Sequence, residues 1–312
     1  MKLLTVFNIC HKDRENCDHY INSINSILNQ NLEGNKIENK VVISALRNTD
    51  SCLRRMRETF RNNIDIVYYG ELWTVNITFN KTVQEVVKRF GNFDGYIYID
   101  SGVTLTDPNV IKTMADLLNG GLYSMVTIQT DTDNGFPGWL NFDLVRGQDF
   151  IMPVGRACNL HCQLFSNEIF ETYGKRIMPD VFAAYCTESV FSFMNSAIRK
   201  RWIIAKDIVV HHSHGLDGGS MYFDKISSKF GTPWNNFLFG RNASDFMNDP
   251  EAIDAGLGYE EIHGIMVHKG NMHENDVYSR APERLKAVIL KYLFSNNNEL
   301  NYDNITYTYN AW

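Results

Sequence analysis

The sequence predicts a doubly wound α/β fold with a mostly parallel sheet. Two observations carry this prediction. Short apolar, β-branched runs alternate with amphipathic helical segments over the first 130 residues, the pattern of strand–helix–strand units. The runs are also continuously apolar rather than alternating, as in strands buried on both faces.

Residues 2–9 (KLLTVFNI) form the first strand. In residues 18–30, Ile21, Ile24, Ile27 and Leu28 share one helical face, and Asp18 is placed to cap it. VVISAL (41–46) is a second buried strand, and a helix runs from a cap at Ser51 through Phe60. DIVYYG (65–70) is a strand, and KTVQEVVKRFG (81–91) a helix stopped by Gly91. GYIYID (95–100) is a strand. The helix after it has Pro108 in its first turn and glycines at its end. LYSMVTIQT (122–130) is again a strand. Residues 131–160 are rich in Gly, Asp and aromatic residues and read as loops and short strands. Residues 164–174 and 187–202 read as helices, and 203–212 as a strand ending in His211 and His212. From about residue 220 the pattern is less regular, with a helix at 282–294. The expected division is a catalytic unit over 1–219 and a C-terminal subdomain or extension over 220–312.

The chain has 312 residues and a net charge of -6, and 44% of its residues are hydrophobic. An acidic balance gives no bulk attraction to nucleic acid, whose binding rests on Lys and Arg at phosphates. No run has the length needed to span a bilayer, and the N-terminus lacks the marks of a secretory signal. A cytoplasmic location is the expectation. The six cysteines (10, 17, 52, 158, 162, 186) contain no CxxC pair, so free thiols are expected rather than zinc. Sequons begin at Asn76, Asn80, Asn242 and Asn304 and are expected to be unused.

The chemistry begins at YIYIDSGVTL (96–105), where a buried strand ends in Asp100-Ser101-Gly102. In doubly wound sheets, ligands bind outside the carboxyl ends of strands, where strand order reverses. Asp100 sits at such an end. The plain alternative is a turn aspartate. Gly102 lets backbone approach a ligand closely, or is simply a turn glycine.

Three segments together resemble the GT-A glycosyltransferases, especially those like family 2, which use nucleotide-diphosphate sugars. RNTDS (47–51) is placed like the family's acidic loop after its second strand. YIDSGVTLTDPNVIKTMADLL (98–118) follows its D-x-D segment. Residues 159–212, from NLHCQLF to IVVHH, follow its acceptor-side segment and the later strand ending in His. The resemblance covers roughly residues 1–215. It implies a sugar transferred from a UDP- or GDP-sugar to a hydroxyl of a glycan or other acceptor, by an inverting mechanism. It also implies a divalent cation, Mn²⁺ or Mg²⁺. Asp50, Asp100, Ser101 and Gly102 would contact the nucleotide.

Three departures stand out. The second D-x-D position is Gly102, Ala45 and Leu46 stand where acids are common, and the family's acidic pair is Glu188-Ser189. Glu188 is therefore the candidate base, with Asp180 as the alternative; a plain first-turn helix acid would look the same. Histidine is the expected substitute for the missing metal ligand. Strand alternation puts His211 and His212 on opposite faces, and His212 and His214 are the preferred pair beside Asp100. Trp139 is a candidate stacking surface for an acceptor sugar. Rival readings are a non-catalytic nucleotide- or glycan-binding domain and a sugar nucleotidyltransferase, although NICHKDREN lacks the latter's glycine-rich loop.

Overall fold

The structure is a computed structural model. It describes residues 1–10, 17–34, 36–46, 50–69, 75–131, 150–152, 158, 161–179, 187–213, 259–262, 265–268 and 282–294.

The first strand, β1 (Lys2–Cys10), is the centre of the fold. It pairs in parallel with β2 (Glu38–Leu46) on one side and β4 (Gly95–Ile99) on the other. Its side chains alternate between two apolar layers. Leu4 and Val6 pack into the layer under α3 (Val75–Phe90), while Leu3, Phe7 and Ile9 pack opposite, with α1 (Cys17–Leu28) and α2 (Asp50–Phe60). All five are fully buried. A strand covered on both faces has no polar side to show, which is why the run reads as continuously apolar.

β3 (Asp65–Tyr69) lies outside β2 in parallel. The order across the main sheet is β3-β2-β1-β4-β8-β6-β9-β5, the last four being β8 (Cys162–Ser166), β6 (Tyr123–Thr130), β9 (Arg201–His212) and the two-residue β5 (Val103–Thr104). The short β7 (Phe150–Ile151) pairs off this path with β9. The parallel strands run outward from β1 to β3 and then resume at β4 on β1's other side. Strand order therefore reverses between β1 and β4, opening a crevice at their carboxyl ends. The sheet is mostly parallel, as expected, with β8 inserted antiparallel between β4 and β6.

β8 corrects the reading of 164–174 as one helix. Leu164 and Phe165 are both fully buried, on opposite layers, so CQLFS is a doubly covered strand. The helix α5 (Asn167–Thr172) is only six residues long. Ser166 caps it by accepting a hydrogen bond from the Ile169 amide at 3.4 Å. Helix α4 (Val110–Asn119) and strand β6 follow the sequence closely.

Helix α3 starts six residues earlier than its periodicity suggests, at Val75 rather than Lys81. Its first turns carry β-branched and Asn residues, poor helix formers, and tertiary bonds hold them. Asn80 is 4% exposed. Its Oδ1 accepts from the amides of Ile177 and Met178, both at 2.9 Å, and its Nδ2 donates to the Met178 carbonyl at 2.7 Å. Asn76 Nδ2 donates to the Pro179 carbonyl at 2.9 Å. Both buried asparagines begin sequons, and a glycan on either is incompatible with this packing. Asn242 and Asn304 lie outside the described residues.

Helix α6 (Thr187–Ala197) covers the α3 layer beside Trp202. Helix α7 (Pro282–Leu293) packs Leu285, Val288, Ile289 and Leu293 into that layer, and Phe294 stacks on Tyr173 with ring centroids 5.5 Å apart. Strands β10 (Tyr259–Ile262) and β11 (Ile265–His268) form an antiparallel pair. Among the described residues, no helix is long and apolar enough to cross a membrane.

Asn80→Ala removes three hydrogen bonds and strands two amides and a carbonyl in the interior. Each unsatisfied group costs about 1–3 kcal/mol, so urea unfolding is expected to show a loss of about 3–5 kcal/mol. A loss under about 1 kcal/mol would show that Asn80 does not tie residues 177–178 to α3.

Candidate active site

Asp100 follows directly on the fully buried strand β4. A tight turn then reverses the chain. The Val103 amide donates to the Asp100 carbonyl at 3.0 Å, and the Ser101 amide donates to Asp100 Oδ1 at 2.8 Å. From α1, His19 Nε2 lies 2.9 Å from the Ser101 carbonyl. Ser101 is buried at 3% exposure.

The turn feeds β5, which pairs antiparallel with the last residues of β9, setting Val103 against His212 and Thr104 against His211. The Ser213 amide donates to the Gly102 carbonyl at 2.9 Å. His212 is buried at 2% exposure, and its ring lies over Gly102. A Cβ at residue 102 would meet His212 Nε2 at 2.9 Å and the Ser213 carbonyl at 3.2 Å. Only glycine leaves room for the imidazole here.

The third member comes from β8. His161 immediately precedes that strand, and its carbonyl accepts from the Asp100 amide at 2.9 Å. Its ring stacks on that of His212, with centroids 3.9 Å apart and an interplanar angle of 27°. Its Nδ1 is 3.6 Å from Asp100 Oδ2, an ionic approach too long for a hydrogen bond. Both ring nitrogens of His161 are buried without a hydrogen-bond partner. Ligand atoms of Asp100, His161 and His212 all lie within 4.8 Å of one another.

Burial pushes the Asp100 carboxyl up, but the imidazoles of His161 and His212 and the Ser101 amide outweigh it and hold the group below the usual carboxylate range. A carboxylate and two closely stacked imidazoles suit a divalent cation, because neutral imidazoles then donate lone pairs. Unpartnered buried nitrogens on His161 fit that role.

At the far side of β9, His211 is half-exposed and its Nδ1 meets Asp131 Oδ2 at 2.5 Å. The His212 amide donates to Asp131 Oδ1 at 3.0 Å. Burial again pushes the Asp131 carboxyl up, and the bonds from His211 and the His212 amide bring it below the usual range.

The structure brings together Asp100, Ser101, Gly102 and His212 from the sequence-based candidates. The two histidines of β9 point to opposite sides, as alternation requires. Asp50 is exposed at the first residue of α2. Glu188 lies in the first turn of α6; its side chain, together with Asp180, Trp139 and His214, lies outside the described residues. His161 was missed. In an antiparallel strand, the residue before the start lies at the edge where its parallel neighbours end. Reading 164–174 as a helix hid that edge.

Gly102→Ala is expected to displace the His212 ring and lower affinity for a divalent cation, Mn²⁺ or Mg²⁺, by about 10- to 100-fold, with a small change in melting temperature in EDTA. Unchanged affinity would show that the His212 position does not matter. A carboxyl lowered on folding contributes stability above its unfolded pKa near 3.9 and loses it as pH falls through the folded value. Asp131→Asn is therefore expected to shrink the drop in melting temperature from about pH 5 to about pH 3, measured in EDTA. An unchanged acid limb would remove Asp131 from that account.

No family model matches the sequence, and no curated protein matches it. Solved structures do. The mannosyltransferase PcManGT from Pyrobaculum calidifontis, solved with GDP-Man and Mn²⁺, matches at 14% identity and a TM-score of 0.53, over 80% of this chain and 66% of its own. S. aureus TarS residues 1–349 with UDP matches at 11% identity and a TM-score of 0.51, over 82% and 75% respectively. GalNAc-T7 with UDP, GalNAc and Mn²⁺ matches at 9% identity and a TM-score of 0.52, over 70% of this chain and 44% of its own. The chain thus spans just under two thirds of PcManGT and less than half of GalNAc-T7. With the strand order and the crevice between β1 and β4, these likenesses establish that the chain has the GT-A fold.

Proposed function

We propose that the protein is a glycosyltransferase moving a sugar from a nucleotide-diphosphate donor, a UDP- or GDP-sugar, to a hydroxyl of a glycan or other acceptor. The Asp100–His161–His212 cluster at the reversal point of a GT-A sheet carries this reading. Mixed nitrogen and oxygen donors favour Mn²⁺ over Mg²⁺, which prefers all-oxygen shells. That PcManGT and GalNAc-T7 were solved with Mn²⁺ supports the preference.

A cation held by the three side chains would offset charge on the leaving diphosphate. His212 takes the part of the absent second carboxylate, since its ring fills the space that Gly102 leaves. In this reading the Asp100–Gly102 turn presents backbone to the diphosphate, and Asp50 contacts the nucleotide. Glu188 accepts the proton of the acceptor hydroxyl in an inverting displacement, with Asp180 as the alternative base. Trp139 offers an aromatic face to the acceptor, and His214 lies close behind the cluster in sequence. Residues 220–312 are taken as a C-terminal subdomain or extension of the 1–219 catalytic unit.

A thermal-shift series with UDP- and GDP-sugars, with and without Mn²⁺, tests the donor. Ligand at 100 times its Kd stabilises the folded state by about 2.7 kcal/mol, a rise of several degrees. The rise is expected to need Mn²⁺ and to vanish in Asp100→Asn. If no nucleotide diphosphate moves the melting temperature, the reading fails. For the base, Glu188→Gln is expected to slow transfer by about 10²- to 10⁴-fold while donor binding persists. Full transfer by that variant would pass the role to Asp180.

A further inference from the structure

We propose that Asp131 is a positioning residue for His212: it latches the end of β9 and so fixes where the His212 imidazole stands at the cation site. The proposal rests on the cation-site reading above.

The need for a latch comes from β9 itself. Along most of its length, β9 pairs in parallel with β6, from Trp202 against Met125 to Ala205 against Ile128. The next pair is Val209 against Gln129, so β9 inserts three extra residues while β6 advances by one. A bulge of this kind breaks the ladder and frees the strand beyond it to take a new twist. The re-registered end, Val209 to His212, has only Gln129 and Thr130 of β6 to pair with before β6 stops at Thr130. His211 and His212 lie past the last of those pairs.

Asp131, the first residue beyond β6, continues the connection with its side chain. Its amide donates to the Val210 carbonyl at 2.9 Å. Oδ1 accepts the His212 amide at 3.0 Å, and Oδ2 meets His211 Nδ1. A carboxylate thus stands in for the strand residue that β6 lacks. On the opposite edge, Val103 and Thr104 of β5 pair with His212 and His211, and the Gly102 carbonyl accepts the Ser213 amide. His212 is therefore clamped between the Asp100–Gly102 turn and Asp131. Cutting one side leaves it hinged on two-residue β5.

His211 shares the carboxylate but faces away from His212 and is 47% exposed. The latch acts through the His212 amide, and its effect separates from that of the His211 pair. Asn at 131 keeps an oxygen for the amide and loses the charge. Ala keeps neither.

The test is binding of Mn²⁺ alone to the full chain, followed by electron paramagnetic resonance of the free ion, with the melting temperature in EDTA recorded for each variant. Asp131→Ala is expected to weaken Mn²⁺ binding by about 10- to 100-fold, whereas Asp131→Asn and His211→Ala stay within about threefold of wild type, below that range. Asp131→Leu, matched in shape, should repeat the Ala result. A purely structural role would lower the melting temperature and leave the affinity of the folded protein unchanged, and that outcome overturns the proposal. So does an Asn variant as weak as Ala, which would point to charge alone, or a His211→Ala variant as weak as Asp131→Ala. If neither Asp131→Ala nor Asp131→Leu folds, Asp131 serves the fold and the proposal falls. Asp100→Asn is the control: if it too binds Mn²⁺ normally, the cation site itself is wrong rather than the latch.

Discussion

The pairing of β5 with the end of β9 is the contact on which the site depends. Two residues from the loop after β4 meet two residues at the far end of β9, the longest strand among the described residues. That short ladder draws Gly102 under the His212 ring and brings Ser213 to the Gly102 carbonyl. Without it, Asp100 would be an ordinary strand-end acid facing an open crevice. The ladder is only two residues long, and a pair that short is not stable by itself. Its persistence follows from what flanks it: the buried β4 on one side, Asp131 on the other, and the Ser101 carbonyl held by His19.

The fold was legible because a parallel sheet covered on both faces writes itself as apolar runs separated by amphipathic helices. β1, β2, β3, β4 and β6 are such runs, and their order leads directly to the crevice. Two elements were less legible, for opposite reasons. The start of α3 has the wrong residues for a helix and is held by Asn76 and Asn80 across the interior. These bonds to residues 177–179 are tertiary and leave no periodicity. CQLFS, the β8 strand, carries no helix-excluding signal in five residues, and its last residue, Ser166, caps the helix that follows at once.

The site was legible to the same depth. Asp100 follows from its strand, and a histidine near the end of β9 follows from the gap at Gly102 and from alternation. His161 does not follow, because its place depends on β8 running antiparallel, a fact of topology rather than of local sequence. Asp131 was hidden similarly: its value lies in a bulge three residues deep on a different strand.

The α3-facing side of the sheet changes character at this edge. Toward the amino ends of the parallel strands it is apolar: Leu4 and Val6, Val42, Tyr96 and Tyr98, Met125, Phe165. One step on toward the carboxyl ends the same face turns polar, with Asn8 on β1, Ser44 beside it on β2, Asp100 after β4, and Gln129 on β6. Asn8, Ser44 and Gln129 are at most 4% exposed, and the side-chain polar atoms of all three are without hydrogen-bond partners. Each such group costs about 1–3 kcal/mol relative to a satisfied one, and apolar residues at these positions would have been better for folding. The burden falls in one row, toward the carboxyl ends of β1, β2 and β6, on the face of the sheet that carries Asp100. A fold optimised only to persist would spread or remove these groups. Their concentration beside the cation cluster fits a crevice shaped to receive a polar ligand, and the proposed nucleotide-sugar donor is one.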